Sequence, residues 1–355
     1  MRDRSDGSVE PDGLVDTTTV VTGGGGFLGR AVLPELAKSY PGRIISITRQ
    51  PLVDQRLPES DSRVHVLADL RETDKWIGLL READFVIWMA SLRDHGTSTA
   101  AAIRENVDPL RAALATLREQ PRFRRFVFAS SISALDQPNH PHRPRPLTDH
   151  STSCPRTPYG YSKRQSELLL AASRVPHTVL RLPFLYGPGF RSGSFLDFYR
   201  RVAQTPALSA LRFTANLSLL YTGDVARILL QILDPANSAA ADSGPYVLSD
   251  GSVYEVDELI SMVAEVHGLT RPRLRAPASL GTIASEVALA ARRLTRPRPV
   301  ARSNARLLFA YWSHAAFTRN YFVVDSSRFH AAFPGSRHTP VHGAIARSFP
   351  DGRPA

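Results

Sequence analysis

The chain has 355 residues, of which 43% are hydrophobic and 22% are charged, the composition of an ordinary globular protein. Its only cysteine, Cys154, excludes an internal disulfide and is typical of a reducing compartment, so we expect a cytoplasmic protein. No apolar stretch is long enough to cross a bilayer. Residues 1–16 are polar and lack the apolar segment of a signal peptide, so we expect a flexible tail there and no membrane crossing.

The excess of basic residues gives a formal net charge of +11, which raises the question of a nucleic-acid partner. Arginines are densest between Arg271 and Arg306. We interpret this basic run as a solvated face, because charge without further pattern is weak evidence for an anionic partner. We therefore expect a small-molecule substrate and no nucleic acid.

β-rich segments alternate with helical patterns through the first half of the chain. The β-rich segments are TTTVVT from Thr17, RIISIT from Arg43, RVHVLA from Arg63, DFVIWMA from Asp84, RFVFASS from Arg125 and HTVLRLP from His177. The helical patterns are FLGRAVLPELAKSY from Phe27, TDKWIGLLREA from Thr73, AAIRENVDPLRAALATLREQ from Ala101 and YGYSKRQSELLLAAS from Tyr159. Strands separated by such helices predict an α/β Rossmann fold with a doubly wound parallel sheet.

The alternation loosens beyond Tyr186, which predicts a domain boundary. We assign residues 17–185 to a dinucleotide-binding domain and residues 186–350 mainly to a smaller C-terminal substrate-binding domain. Segments near 221–250 are expected to return to the first domain.

Four consecutive glycines, from Gly23 to Gly26, lie between the first predicted strand and the first predicted helix. Gly23, Gly26 and Gly29 follow the spacing G-x-x-G-x-x-G, and Gly24, Gly26 and Gly29 follow G-x-G-x-x-G. Bare backbone amides at a helix N-terminus bind a pyrophosphate that side chains would keep away. This position in the chain predicts a dinucleotide site rather than a flexible loop.

The end of the second predicted strand indicates which dinucleotide is bound. An NAD site carries an acidic residue there for the ribose hydroxyls, whereas this chain has Thr48 and Arg49. A guanidinium suits a 2′-phosphate, so we predict NADP(H), with NAD as the alternative. Asp69 and Leu70 follow the third strand and are expected to border the adenine.

The segment YGYSK places Tyr159 and Lys163 four residues apart, on one face of a predicted helix. A nearby ammonium favours the ionised phenol, which suits acid/base work during hydride transfer. Ser130 and Ser131 end the fifth predicted strand and offer a hydroxyl for a substrate oxygen. No metal is expected.

At this point the sequence resembles the extended short-chain dehydrogenase/reductase family, also described as the NAD(P)-dependent epimerase/dehydratase family. The resemblance runs from about Thr17 to Phe349 and rests on TGGGGFLG, ADL, MAS, NVDPL, FVFASS, YGYSK, LRLPFLYGPG and YTGDVAR, in that order. It implies that Ser131, Tyr159 and Lys163 are catalytic, with Ser130 as the alternative serine. It implies supporting or structural roles for Asn106 and Asp224.

The resemblance and the motifs together give the expected cofactor site. Its residues are Gly23, Gly26, Phe27, Leu28, Gly29, Arg49, Asp69, Leu70, Ala90, Tyr159 and Lys163.

Departures from the family pattern reduce the number of reactions that we expect. Sugar-nucleotide dehydratases of this family carry Thr-Asp-Glu where this chain has Ser131, Ile132 and Ser133, so a dehydratase is not expected. Nucleotide-sugar enzymes often have asparagine at the position of Phe184 and arginine at that of Leu217, and neither apolar side chain grips a diphosphate.

The resemblance leaves three classes of function open. The first is an oxidoreductase that transfers a hydride to or from a ketone or secondary-alcohol carbon of a partly apolar small molecule. The segment RIISITRQP looks like the dihydroflavonol and cinnamoyl-CoA reductase branch. The tail from Ala301 to Phe329 is similar to that of the same branch and of hydroxysteroid dehydrogenases, and some sugar epimerases share it. The second is a nucleotide-sugar C4 epimerase with tightly held NAD, and the third is a non-catalytic dinucleotide sensor or RNA-binding relative. Family members often dimerise through helices matching Ile103–Glu119 and Tyr159–Ser173, so a homodimer is expected.

Overall fold

A computed structural model describes residues 13–51, 62–92, 98–135, 145–190, 194–242, 244–277 and 321–349. Most of the predicted tail, most of the basic run and most of the reductase-like tail lie outside these residues. The strands are β1 Thr18–Thr22, β2 Arg43–Thr48, β3 Arg63–Leu67, β4 Phe85–Trp88, β5 Arg125–Ser131, β6 His177–Leu182, β7 Phe184–Tyr186, β8 Leu211–Arg212, β9 Asn216–Leu217, β10 Leu219–Tyr221, β11 Tyr246–Val247, β12 Tyr254–Glu255, β13 Ala276–Pro277 and β14 Tyr321–Phe322.

The helices follow the predicted alternation and continue beyond it. The α-helices are α1 Phe27–Ser39, α2 Thr99–Asn106, α3 Asp108–Leu117, α4 Pro158–Ser173, α5 Phe195–Gln204, α6 Pro206–Ser209, α7 Thr222–Leu233, α8 Ser238–Asp242, α9 Val256–Val266, α10 Ser327–Ala332 and α11 Val341–Ser348. Short 3-10 helices cover Thr73–Lys75, Ile77–Glu82, Ile132–Ala134 and Pro235–Asn237.

The main sheet of the described residues contains seven parallel strands in the order β11-β6-β5-β4-β1-β2-β3. The chain starts at β1 in the interior, winds outward to β3, and then returns through β4 toward the opposite edge. The strand order therefore reverses between β1 and β4, where open α/β sheets bind their ligands at the carboxyl ends of the strands. The predicted doubly wound parallel sheet is confirmed.

Two predicted helices are corrected by the structure. The segment from Thr73 to Glu82 forms two 3-10 helices, because the backbone of Trp76 between them has φ = −134°, outside the helical range. The Trp76 indole donates to the Leu70 carbonyl at 3.0 Å and packs edge-on against Trp88. The long pattern from Ala101 divides into α2 and α3, because Pro109 at the start of α3 has no N–H to continue the first helix.

Apolar side chains cover both faces of the sheet. Val32, Leu33 and Leu36 of α1 belong to a fully buried cluster with side chains of α7 and α10. Leu110 and Leu114 of α3 belong to a cluster on the other side, with Trp88 and Phe126 of the strands. These two layers fix the sheet edge where β1, β4 and β5 end.

A separate apolar cluster joins α5, α9 and α11 with short strands from three regions of the chain. Beside it, the carboxylate of Asp257 is 3.0 Å from the guanidinium of Arg271, and both side chains are buried. The prediction of a solvated basic run is therefore wrong at Arg271, whose charge is used within the fold. Beyond residue 277 that run lies outside the described residues.

The start of α1 depends on contact between backbones. A Cβ atom on Gly29 would lie 2.3 Å from the carbonyl oxygen of Gly23, which cannot move without distorting the turn. We expect Gly29→Ala to lower the free energy of unfolding by about 1–3 kcal/mol, measured by urea denaturation. Gly78→Ala is the matched control, because a Cβ there meets no atom within 4 Å, and its stability should match wild type. Equal stability of the two variants would contradict the close-contact explanation.

Candidate active site

The glycine turn between β1 and α1 is packed against the loop after β4. Gly23 has φ = +78°, and a Cβ on it would lie 2.6 Å from the amide nitrogen of Ala90, so this position requires glycine. Gly26 precedes α1 with no side-chain cap, and the first turn of the helix carries no acidic residue. The backbone amides of that first turn therefore suit an anion such as a pyrophosphate.

Phe27 and Leu28 form the first turn of α1 and diverge from each other. Leu28 packs against the core between α1 and the sheet, whereas Phe27 packs against the cluster of α5, α9 and α11. Both are half-buried beside the glycine turn, where the sequence placed them.

The loop after β4 is held by Asn106 and Thr22. The Ala90 N–H donates to Thr22 Oγ1 at 3.3 Å. The Asn106 amide accepts from the Leu92 N–H at 2.7 Å, donates to the Leu92 carbonyl at 3.1 Å and donates to Ser162 Oγ of α4 at 2.9 Å. Asn106 thus ties the expected cofactor loop to the helix that carries Tyr159.

The ends of β2 and β3 form a basic corner. Arg49 is exposed, and Asp69 makes a two-pronged ion pair with Arg71, at 3.1 Å to Nε and 2.8 Å to a terminal nitrogen. The hydrogen bonds from Arg71, with a smaller contribution from Arg49, hold the pKa of Asp69 below its ordinary value. The sequence reasoning missed Arg71, although its position two residues after Asp69 was a usable signal.

The two candidate serines have different surroundings. Ser130 is buried, and its hydroxyl donates to Glu167 Oε1 at 2.6 Å. Ser131 is half-buried, and its Oγ accepts from the Ser133 N–H at 3.2 Å. The neighbouring 3-10 turn lies so close to α4 that a Cβ on Gly160 would meet the Ser133 carbonyl at 2.1 Å. The geometry favours Ser131 as the serine available to a substrate.

Tyr159 and Lys163 lie one helical turn apart, as the sequence indicated. Lys163 Nζ is 5.7 Å from the centroid of the Tyr159 ring and 4.7 Å from that of Phe128. It donates to the Ala129 carbonyl at 2.7 Å, and the side chain is almost fully buried. Burial lowers the pKa of Lys163 to about 7, and the charge of Glu167 opposes this shift. Burial and the Glu167 charge therefore act in opposite directions on the ammonium that lies beside the phenol ring.

Asp224 lies at the start of α7 and anchors a distant segment. Its carboxylate accepts from the Thr339 N–H at 2.8 Å and from Thr339 Oγ1 at 2.6 Å. Burial acts to raise its pKa, but hydrogen bonds from His338 and Thr339 and the charge of Arg227 bring the net pKa below its ordinary value. This is a structural contact between α7 and the chain before α11.

Within the described ranges, no helix combines the length and apolarity that a membrane span requires. Nor do three or more His, Cys, Asp or Glu side chains gather there in a way that would hold a metal ion.

Comparison with known proteins assigns the chain to a family. The profile of the NAD dependent epimerase/dehydratase family matches residues 19–247. The chain belongs to this family. The match confirms the resemblance drawn from the motifs. The reaction, the cofactor and the preference for NADP(H) stay predictions.

Individual members of the family give more specific parallels. The D-erythronate dehydrogenase of Cupriavidus necator is 30% identical over 207 residues, which cover 53% of this chain and 61% of that protein. The chain thus spans about three-fifths of the length of this curated relative.

Solved structures of the family share the fold. MoeE5 in complex with UDP-glucuronic acid and NAD has a TM-score of 0.64 at 20% identity, covering 94% of this chain and 98% of that chain. UDP-glucuronic acid 4-epimerase from Bacillus cereus in complex with NAD has a TM-score of 0.67 at 16% identity, with coverage of 94% and 98%.

The three hydrogen bonds of Asn106 predict a stability effect. We expect Asn106→Ala to lower the free energy of unfolding by about 1–3 kcal/mol, because the Leu92 amide and carbonyl lose their partners. Asn237→Ala, which removes one hydrogen bond to the Gln231 carbonyl at the surface, should cost less. Urea denaturation of both variants measures the difference, and equal losses would argue against the bridging role of Asn106.

Proposed function

We propose that the protein is an NAD(P)-dependent oxidoreductase that transfers a hydride to or from a ketone or secondary-alcohol carbon of a small molecule. The observation that carries this proposal is the buried Lys163 ammonium one helical turn below Tyr159. Ser131 ends the neighbouring strand, and the glycine turn lies at the same edge of the sheet. We propose that residues 17–185 bind the dinucleotide and residues 186–350 mainly bind substrate.

Each side chain has a distinct part in the proposed reaction. When bound, the nicotinamide supplies the hydride acceptor or donor. Tyr159 exchanges the proton with the substrate oxygen, and Ser131 holds that oxygen by a hydrogen bond. Lys163 stabilises the ionised phenol because an opposite charge held in a poorly solvated site acts strongly.

The substrate side of the site is aromatic. Phe184 makes edge-to-face contacts with Phe195 at 5.9 Å and with Phe322 at 5.5 Å between ring centroids. Phe184 also packs against the apolar cluster that contains Ile132, the residue after Ser131. Leu217 is buried and pairs across the strands with Phe322. These contacts support a partly apolar substrate and offer no cation to a diphosphate.

The second candidate is a nucleotide-sugar C4 epimerase. Its support comes from the structures of MoeE5 with UDP-glucuronic acid and NAD and of a UDP-glucuronic acid 4-epimerase with NAD, at identities of 20% or less. The name of the dehydrogenase relative supports the oxidoreductase instead. Both proposed reactions use Tyr159 and Lys163. They differ in the shape and charge of the substrate pocket and in how tightly the cofactor is held. The presence of Ser131, Tyr159 and Lys163 together argues against the hypothesis of a non-catalytic dinucleotide sensor or RNA-binding protein.

We also propose a homodimer that uses α4. Tyr161 and Leu168 lie seven residues apart on this helix, and 39% and 45% of their surfaces are exposed. Large apolar side chains on one helical face suit a partner helix.

A substrate screen tests the proposed reaction. Purified protein with NADPH or NADH should consume the reduced cofactor with a ketone from a panel of partly apolar ketones, followed by nicotinamide absorbance. UDP-sugars should give no turnover. Tightly retained NAD together with conversion of a UDP-sugar, without net absorbance change, would favour the epimerase.

The acid/base role of Tyr159 predicts a catalytic loss without a binding loss. We expect Tyr159→Phe to lower kcat by about a hundredfold or more, because the phenyl ring exchanges no proton. NADPH affinity, followed by fluorescence titration, should stay close to wild type. Tyr161→Phe is the matched control on the same helix, and its kcat should be unchanged. Normal turnover by Tyr159→Phe would refute the role.

Cofactor preference is expected to depend on the basic corner. Arg49→Asp should lower kcat/KM for NADPH relative to NADH by about tenfold or more, because a carboxylate repels the 2′-phosphate and accepts from a ribose hydroxyl. Arg81→Asp, at an exposed position on another segment, controls for the change in net charge. An unchanged ratio in Arg49→Asp would mean that Arg49 does not select the cofactor.

A further inference from the structure

Glu167 is a buried carboxylate that no sequence motif singled out. It lies on α4, four residues after Lys163, and only 5% of its surface is exposed. Its Oε1 accepts from Ser130 Oγ at 2.6 Å and from Arg181 Nε at 3.1 Å, and its Oε2 accepts from a terminal nitrogen of Arg181 at 2.9 Å. Arg164 of the same helix approaches to 3.5 Å. The carboxylate is fully engaged, so it is held in one position.

Glu167 and Lys163 grip consecutive residues of β5. Lys163 donates to the carbonyl of Ala129, and Glu167 accepts from the hydroxyl of Ser130. Ser131, the proposed substrate contact, is the next residue. The two side chains therefore fix the register between α4 and the strand end on which the reaction depends.

The charges around Lys163 come from few groups. Tyr159 and Glu167 lie on its own helix, whereas β5 contributes a backbone carbonyl and the ring of Phe128. Arg181 of β6 lies beyond Glu167 and pairs with it. Burial pulls the pKa of Lys163 down to about 7, and Glu167 is the charge that pulls it upward. Without Glu167, the ammonium would lose its supporting anion.

We propose that Glu167 is a positioning residue that keeps Lys163 charged and in register beneath Tyr159. The catalytic consequence rests on the proposed function, in which Lys163 acts on the phenol. The effect of Glu167 on the charge of Lys163 does not depend on which reaction the protein catalyses.

The composition of the chain makes Lys163 directly observable. The sequence contains three lysines, Lys38, Lys75 and Lys163. Protein labelled with ¹³C at lysine Cε should give three resonances, and Lys163→Arg assigns the one that titrates near pH 7. In Glu167→Gln, which keeps the shape and removes the charge, we expect this midpoint to fall by about one pH unit. The midpoints of Lys38 and Lys75 should not move.

A matched control distinguishes the effect of the Glu167 charge on Lys163 from a general loss of stability. Asp257→Asn also removes one carboxylate from a buried arginine pair, with Arg271 at 3.0 Å, but far along the chain from Lys163. We expect this variant to lose stability while the Lys163 midpoint stays at its wild-type value. If Asp257→Asn moves that midpoint equally, the shift reports general loosening and the proposal fails.

A second variant keeps the test decisive if Glu167→Gln does not fold. Glu167→Gln combined with Arg181→Gln leaves no unpaired buried charge, so it is expected to fold. The Lys163 midpoint should again fall. A wild-type midpoint in a folded variant of either kind would overturn the proposal.

Activity provides an independent reading. If Lys163 acts on the phenol, the upper limb of the pH–rate profile should move to lower pH in Glu167→Gln, in step with the resonance. A shifted resonance with no shift in the rate profile would contradict the proposed function of Lys163 and leave the electrostatic role of Glu167 standing.

Discussion

The contact between α4 and the end of β5 is the constraint on which the site depends. The helix comes so close to the Ser133 carbonyl that only glycine fits at position 160. Lys163 and Glu167 then reach the strand from consecutive turns of the same helix. The glycine turn before α1 is held by the same kind of backbone contact. Both α4 and the start of α1 are therefore positioned against the sheet by close backbone contacts.

Burial of Lys163 strengthens the interaction of its ammonium with the phenol but also favours the uncharged amine. A poorly solvated ammonium acts strongly on a neighbouring phenol, but the same environment favours loss of the proton. The structure balances these effects with one carboxylate, which in turn is balanced by Arg181. The polar segment YGYSKRQSE can pack against the sheet because Glu167 pairs with Arg181 and Ser130, and because Lys163 donates to the Ala129 carbonyl.

The sequence predicted the main sheet because strands and glycine turns leave patterns within short stretches of the chain. β-branched runs predicted β1 to β6, and a glycine spacing located the turn before α1. Contacts between residues that are distant in the sequence could not be predicted in this way. Trp76 packs against Trp88 from a position between two short 3-10 turns. Glu167, which engages the Ser130 hydroxyl, lies far from that serine in sequence. The assignments of site residues remain predictions from motif and geometry.

The apolar cluster of α5, α9 and α11 is assembled from stretches separated by strands and helices of the main sheet. Phe190 and Tyr254 meet there although the chain returns to the main sheet at β11 between them. A continuous segment that carries the buried residues of this cluster, from Tyr186 to Phe349, therefore also carries α7 and β11. Exchange of that segment between members of the family would divide the main sheet, whereas point changes within the cluster would leave the sheet intact.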